Sequence, residues 1–547
     1  MLHETYGRRL IMRINELNWR FRPSPAEIFS LLIGSLLIIW YAWILDDAYV
    51  YFRYVDNLVI HRFGLVWNPN EFVEGFSSPA WMLLLSLLRA AHLDFWVIIR
   101  SVGIICFVGF WWLACLINRG LMPSGMRKTS LNIPLLYISL TYAVSCYFTS
   151  GTESPLILLL AAGYAAAILW PGSRLLQCSV GFGPLVRPEL ALPFLLFLLY
   201  ARFLKKKTAW FAILTCGLTM VPYMVFRVWY YADIFPNTFY LKEIDWPSQG
   251  LNYLYDTLLP YHVLPYLLGM GAIYFALRRG IKVPRALMSK ERLAMIILAI
   301  PLIIYVVKIG GDARHFRYLA YPFVLLVLST GGLLERIRFP SRLPKILIFT
   351  AIALFAISNY PRQLKEHPLF LLQDSRLFRQ INDAAFHRGH KAGLTPPIFA
   401  ISSSLGYQAA KSRYVEAFTI STNKVPVITE GVCQRAYLHL VPCIQRFGLT
   451  DPFLARTKCP FDKPSHKFGL GPLADNIVKV REKYGFIRGA FELSIIEDDS
   501  TPLWITHNID AIKAIETRAY NNHQLFLNLA LAIKKSPRIY PNIQEEE

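Results

Sequence analysis

Two adjacent carboxylates stand at the end of an apolar run. The segment "WILDDAYVYFRYVDNLVIHRFGLVWNP" places Asp46 and Asp47 directly after that run, and a stretch rich in tyrosine and arginine follows. Neighbouring carboxylates in a partly desolvated site can act as a general base or hold a divalent cation. The alternative is that they only solvate the end of the run. Asp46 and Asp47 are therefore the candidate catalytic residues and, if a metal ion is used, its candidate ligands.

The residues after this pair predict a polar helix face. If the segment continues as a helix, Asp46, Tyr49, Arg53 and Asn57 share one side of it. We expect an amphipathic helix at the membrane interface, with this face toward a cavity. The opposite face would carry Ala48, Phe52, Val55 and Val59.

Further polar residues follow other apolar runs. Ionisable residues at such edges are functional candidates, because a charged side chain in or near the apolar part of a membrane is energetically costly. The candidates are Asn68 and Glu74 in "VWNPNEFVEGFSSPAW", Glu153 in "FTSGTESPL", Arg187 and Glu189 in "GPLVRPELALP", Asn237 and Lys242 in "YYADIFPNTFYLKE", and Asp312, Arg314, His315 and Arg317 in "KIGGDARHFRYLAYP".

Arg53 and the basic residues of this set suit a phosphate group, which arginine can bind through two hydrogen bonds. The alternative is charge pairing among the loops, for example between Arg187 and Glu189. On the outer side of a protein with many membrane spans, which the composition described below predicts, acids that activate a hydroxyl and bases that hold a phosphate leaving group favour sugar transfer from a lipid phosphate. The candidate phosphate ligands are Arg53, Arg187, Lys242, Arg314 and Arg317.

Composition places these residues in a membrane protein. Hydrophobic residues make up 54% of the 547 residues and charged residues 17%, and the mean hydropathy is +0.37. A soluble globular protein of this length is less apolar.

The formal net charge of +21 would suggest nucleic acid in a soluble protein. Here lysine and arginine lie in short loops between apolar runs, so we expect no nucleic-acid partner.

The apolar runs predict a polytopic bundle of about 11 spans. The basic loops then fall on the side of the N-terminus, which is therefore predicted to be cytoplasmic. The pair 174–186 and 188–203 is short and could instead be broken or re-entrant helices. Residues 79–91 are predicted to be an interfacial helix. The predicted spans are 27–45, 95–117, 131–149, 155–170, 174–186, 188–203, 208–230, 257–277, 292–309, 317–334 and 344–358.

Three regions follow from this pattern. Residues 1–26 form a cytoplasmic N-terminal segment, 27–358 the membrane domain, and 359–547 a soluble α/β domain on the outer side. The domain is predicted from a strand in "PPIFAISSSLGYQAA" and helices in "ADNIVKVREKYG" and "NNHQLFLNLALAIKK". One disulfide among Cys433, Cys443 and Cys459 is expected there, and Cys433–Cys443 is the nearest pair. No nucleotide-binding motif is present, so no nucleotide cofactor is expected.

The motifs resemble those of a family of bacterial membrane glycosyltransferases that includes the actinobacterial terminal β-(1→2)-arabinofuranosyltransferases and LphB-type proteins. The resemblance covers most of the chain in the same order. It is carried by Asp46–Tyr49, Phe52–Tyr54, Gly64–Pro69, Val73–Gly75, "SGTESPL", "VRPE", "YADIFPNTFYLK", "GGDARHFRYLAYP", "FGLTDPFLAR" and "KPSHKF".

This resemblance implies an inverting integral membrane transferase of the GT-C type in the bacterial inner membrane. It would use a polyprenyl-phosphate sugar donor and an envelope glycan or lipid acceptor. Asp46 or Asp47 would be the general base, and His466 would lie on the acceptor side. The residues implied at the donor site are Arg53, Glu153, Arg187, Lys242, Asp312 and Arg317.

Two other functions remain open at this stage. A transporter or flippase for lipid-linked glycans would bind and move the same lipids. A polysaccharide ligase or polymerase would transfer an oligosaccharide from a lipid-linked donor. The sugar, the acceptor and the linkage also stay open.

Overall fold

A computed structural model describes the chain in several stretches. They are residues 22–40, 42, 44–45, 47–68, 72–122, 131–241, 247–258, 261–280, 289–312, 316–336, 343–357, 427–429, 443–445, 449–450, 461–463 and 466–467.

Helices dominate these stretches, and every predicted span overlaps at least one. They are α1 (Pro25–Trp40), α2 (Ala48–Val59), α3 (Pro79–Ala90), α4 (Phe95–Leu121), α5 (Ile133–Leu140), α6 (Tyr142–Tyr147), α7 (Ser154–Leu169), α8 (Arg174–Val186), α9 (Ala191–Leu199), α10 (Trp210–Tyr231), α11 (Asn237–Leu241), α12 (Pro247–Leu258), α13 (Val263–Gly280), α14 (Lys290–Lys308), α15 (Ala320–Ser329) and α16 (Leu343–Ile357).

Short strands are described toward the C-terminus. Strands β1 (Val427–Thr429) and β2 (Cys443–Gln445) pair in parallel. Strands β3 (Phe461–Lys463) and β4 (His466–Lys467) pair antiparallel. The predicted strand after residue 395 and the two predicted C-terminal helices lie outside the described residues, as does Cys433.

The chain forms two compact units. The first comprises Met1–Ile44, Ile99–Thr219 and Trp246–Ala400, and the second comprises Leu45–Ile98, Met220–Asp245 and Ile401–Glu547. In the first unit, α7 packs against α8 and α15, α14 against α12 and α15, and α5 against α1 and α16. In the second, α2 packs against α3.

Helix α7 shows how local sequence defines these elements. Its sequence, SPLILLLAAGYAAAIL, consists almost entirely of apolar residues, many with high helix propensity, and a proline lies in its first turn. The helix ends just before Pro171 and Gly172, which do not continue a helix well. The whole element is apolar, and most of its side chains are buried.

Three predicted spans are interrupted. The run 131–149 divides at Thr141, whose backbone is extended between α5 and α6. The run 188–203 begins with the 3₁₀ turn Pro188–Leu190 and ends in the π-helical turn Tyr200–Leu204, so the broken arrangement predicted near residue 187 is present. The run 257–277 contains the end of α12 and most of α13 as separate helices. Hydropathy sums over a window and does not locate such breaks.

Two described helices, α4 and α10, are long and apolar enough to cross a membrane. Helix α10 also exposes many large apolar side chains, among them Leu218, Val221 and Val225, each more than 60% exposed. Exposed apolar surface of this extent marks a face that contacts lipid or another protein. The remaining apolar helices, α1, α3, α7, α13, α15 and α16, are shorter by this measure.

Candidate active site

Helix α2 is buried on both faces, and its polar side contacts a neighbouring segment of the chain, while the cavity expected beside that side stays a prediction. Residues Ala48 to Asn57 are all buried. Arg53 donates from Nε to the carbonyl of Trp67 at 2.8 Å and from Nη2 to Asn68 Oδ1 at 3.0 Å. Asn57 donates to the carbonyls of Val66 and Trp67. Because these groups form hydrogen bonds with the segment 66–68, the polar face can be buried without leaving hydrogen-bond donors unpaired.

The candidate base lies at the start of this helix. Asp47 is the residue before α2, is half-buried, and makes no side-chain cap of the helix. Its carbonyl accepts from the amide of Val50 at 3.2 Å. Asp46 lies outside the described residues. Tyr49 is buried in the first turn of α2, with its ring edge-on to Phe52.

Glu74 forms a buried ion pair that the sequence analysis did not predict. Arg227 on α10 donates from Nε to Glu74 Oε2 at 2.5 Å and from Nη2 to Oε1 at 3.0 Å, and the Tyr223 hydroxyl donates to Oε1 at 2.6 Å. Burial raises the pKa of the Glu74 carboxyl above its ordinary value, and Arg227 and Tyr223 oppose that shift. This two-point contact fixes the loop before α3 to helix α10.

The C-terminal end of α10 also binds Leu65, which lies earlier in the segment between α2 and α3. The amide of Leu65 donates to the Tyr230 hydroxyl at 3.1 Å, and the Tyr231 hydroxyl donates to the carbonyl of Leu65 at 2.7 Å. Arg227 and Tyr231 lie four residues apart and therefore share a helix face. The signal for Arg227 was available, since an arginine inside an apolar helix of this length is a functional candidate by default.

A second cluster of charges lies in the first unit. Glu153 and Arg187 form an ion pair, and Arg317 Nη2 lies 4.0 Å from Glu153 Oε1. Arg187 also donates to Glu189 Oε1 at 3.1 Å, and Arg317 Nη1 lies 3.6 Å from Asp312 Oδ2. Glu153 is fully buried, and Arg187, Asp312 and Arg317 are at most 9% exposed. The structure therefore brings together five of the predicted site residues.

Both arginines of this cluster also lie beside one aromatic ring. The guanidinium carbons of Arg187 and Arg317 are 5.2 and 5.8 Å from the ring centroid of Tyr318. Burial disfavours the charged form of Arg187, but attraction by Glu153 and Glu189 outweighs it, so the pKa of Arg187 is raised. Arg187 pairs with Glu189, as the alternative interpretation stated, and its phosphate contact stays a prediction. Its buried Nε has no hydrogen-bond acceptor among the residues that the structure describes.

Backbone conformation places Asp312 in this cluster. Gly310 and Gly311 have φ of 78° and 81°, the left-handed region that favours glycine. A Cβ on Gly311 would lie 2.3 Å from Cγ of Tyr253, so no larger residue fits without displacing that ring. The Gly-Gly pair thus lets the chain turn tightly over α12 before Asp312.

Other predicted residues are not placed. Lys242, Arg314 and His315 lie outside the described residues. His466 lies in β4, and only its backbone is described. Within the described stretches, no group of His, Cys, Asp and Glu side chains has the geometry of a metal site.

A third buried cluster lies in the first unit and was not predicted. Arg119 donates from both Nη atoms to the carboxylate of Glu27, at 2.6 and 2.5 Å, and Asn132 Nδ2 donates to the same carboxylate at 3.2 Å. The amide of Ser24 also donates to it at 2.8 Å. Arg119 follows the predicted span 95–117, so its sequence position suggested one of the basic residues of the cytoplasmic loops. The structure shows instead a buried arginine that joins α4 to α1.

Comparison with known proteins gives two related sequences. No protein-family profile matches the chain. The terminal β-(1→2)-arabinofuranosyltransferase of Mycobacterium tuberculosis is 27% identical over 329 residues, which is 51% of this chain and 51% of that protein. The protein of the same name from Corynebacterium glutamicum is 26% identical over 335 residues, 51% of this chain and 46% of that protein. The chain thus spans about half the length of the curated relatives it matches.

One solved structure is similar as well. The crystal structure of ArnT from Cupriavidus metallidurans bound to undecaprenyl phosphate matches with a TM-score of 0.46 and 12% sequence identity, over 76% of this chain and 84% of that chain. The resemblance to terminal arabinofuranosyltransferases inferred from the motifs is confirmed by the two related sequences, over about half of the chain.

Proposed function

We propose that this protein is an integral membrane glycosyltransferase. It moves a sugar from a polyprenyl-phosphate donor to a cell-envelope glycan on the outer face of the membrane, with inversion at the anomeric carbon. Asp46 or Asp47 removes the proton from the attacking acceptor hydroxyl. The leaving polyprenyl phosphate is stabilised by arginines, among them Arg187 and Arg317.

One observation carries this proposal. The motif segments "SGTESPL", "VRPE" and "GGDARHFRYLAYP" contribute Glu153, Arg187, Asp312 and Arg317 to one buried cluster of charges, in which both arginines also lie beside the ring of Tyr318. Buried charges are costly unless they are paired, and a structural role alone is served as well by apolar residues. The Nε–H of Arg187 has no acceptor among the residues that the structure describes, so it could donate a hydrogen bond to a ligand oxygen.

Related sequences support the reaction class. The two curated relatives are named as enzymes that transfer arabinofuranosyl groups, and the similarity covers half of this chain. The exposed apolar face of α10 supports a location in the bilayer, where a lipid-linked donor is available.

A comparison of envelope glycans tests the proposal. The strains are the wild type, a deletion of this gene, and the deletion carrying either the wild-type gene or the Asp46→Asn/Asp47→Asn variant at equal protein level. We expect the deletion and the double variant to lose the same sugar and to accumulate its lipid-phosphate precursor. If the deletion changes the glycans but the double variant does not, these carboxylates are not the base, and a transport function gains support.

A further inference from the structure

Within the second unit, a turn of the C-terminal part packs against residues that lie earlier in the chain. The Asn237 side chain donates from Nδ2 to the carbonyl of Leu449 at 2.9 Å. Thr450, the next residue, is 2% exposed. Both residues belong to the segment "FGLTDPFLAR". The turn is therefore held by a specific hydrogen bond and by close packing.

Gly75 allows the closest part of this contact. A Cβ on Gly75 would lie 3.0 Å from both Cγ2 of Thr450 and the Tyr54 hydroxyl oxygen, and 3.2 Å from the carbonyl oxygen of Leu449. Such distances are shorter than ordinary van der Waals contact, so an added methyl group would require the turn or the Tyr54 hydroxyl to move by a few tenths of an ångström. We call Tyr54, Glu74, Gly75 and Asn237 the seat of the turn.

The seat is fixed from α10. Arg227 holds the Glu74 side chain at two points, and the amide of Asn237 donates to the Glu74 carbonyl at 2.9 Å. The Tyr54 hydroxyl donates to the carbonyl of Val73 at 2.5 Å and accepts from the amide of Gly75 at 3.0 Å. Arg227 thus acts on the turn through Glu74 and then Asn237, without touching the turn in any described contact.

We propose that Arg227 is a positioning residue that fixes the seat, and that the seated Leu449–Thr450 turn sets how tightly the acceptor glycan binds. This inference rests on the proposed function. Under the proposed function, the polyprenyl chain of the donor lies in the bilayer, whereas a polar glycan acceptor comes from the aqueous side. Because the C-terminal part is predicted to lie on that aqueous side, we expect a contact that anchors it to act on acceptor binding, where a small displacement of a binding group is costly.

Hydrogen exchange of the full chain in detergent tests the seat without any activity. We expect exchange in the peptide that contains Leu449 and Thr450 to become several-fold faster in Arg227→Lys and in Gly75→Ala. Arg89→Lys is the matched control, because Arg89 pairs with Asp56 at 2.7 Å in the same unit. Gly217→Ala is the second control, because a Cβ there meets nothing within 4 Å. Unchanged exchange in both test variants would overturn the seat.

Kinetics test the link to the acceptor. With donor and acceptor fractions extracted from a strain lacking this gene, we expect Gly75→Ala to raise the acceptor KM about tenfold while the donor KM stays the same. Adding Thr450→Ser removes Cγ2 and should restore much of the acceptor KM and the slow exchange. An equal loss for donor and acceptor, or no rescue, would overturn the proposal.

Failure of the proposed function and failure of this inference would give different results. If the wild-type protein transfers no sugar, the proposed function fails and the acceptor role fails with it, while hydrogen exchange still decides whether the seat exists. If the wild type transfers sugar but the variants exchange and react normally, only this inference fails.

Discussion

At the scale of single residues, the carboxylates at the start of α2 carry the proposed chemistry. A general base contributes about 10²–10⁴-fold to rate, so Asp46→Asn or Asp47→Asn should lower kcat by about that factor. Donor KM should change little, since the amide keeps the shape of the carboxyl. Initial rates with purified variants measure this, and full activity in both single variants would exclude either aspartate as the base.

Arg317 tests the proposed phosphate contact. Arg317→Lys keeps the positive charge but loses the planar fork that binds phosphate at two points. We therefore expect the donor KM to rise about tenfold while the acceptor KM stays constant. Arg174→Lys is the matched control, because Arg174 begins α8, stacks on Phe211 at 5.0 Å and has no role in the proposal. A donor KM equal to that of the control would contradict a phosphate role for Arg317.

At the scale of elements, the buried pair of Glu27 and Arg119 should hold α1 to α4. Removing one partner of a buried ion pair costs about 3–5 kcal/mol, because the other charge is left uncompensated. Arg119→Met should therefore lower the free energy of unfolding by about that amount, measured by denaturant unfolding in detergent. The Glu27→Gln/Arg119→Met double variant should recover most of the loss. An Arg119→Met protein as stable as the wild type would show that the pair contributes nothing.

The sequence predicted the positions of the helices better than it predicted which side chains pair with one another. Apolar runs gave the positions of the helices, because hydropathy and length are local properties. Arg227 was missed because it lies inside the predicted span 208–230, and only polar residues at the ends of apolar runs were candidates. Arg119 was assigned to a loop because a basic residue after an apolar run fits the positive-inside rule. Its partner Glu27 lies 92 positions away in the chain, and that pairing depends on tertiary packing.

The candidate site was predicted in part for a similar reason. The motifs identified Glu153, Arg187, Asp312 and Arg317, and the structure gathers them with Glu189. Local patterns could not show that Arg53 and Asn57 are satisfied by carbonyls of the segment 66–68. Such partners follow from a loop path that no periodicity encodes.

At the scale of the whole molecule, the proposed reaction requires a defined orientation. The basic loops predict a cytoplasmic N-terminus and an outer C-terminal domain. A tag after Glu547 should therefore react with a membrane-impermeant label in intact cells, whereas a tag before Met1 should react only after lysis. Labelling of both tags only after lysis would contradict the predicted topology.

The most direct test of the central claim is donor consumption by the purified protein in detergent. The lipid-phosphate sugar fraction and the acceptor glycan come from the deletion strain, and polyprenyl phosphate release and sugar transfer are both measured. We expect equal amounts of released polyprenyl phosphate and transferred sugar with the wild type, and neither with Asp46→Asn/Asp47→Asn. A flippase needs a bilayer and leaves its lipid intact, so an unchanged donor with a folded wild-type protein would contradict the transferase.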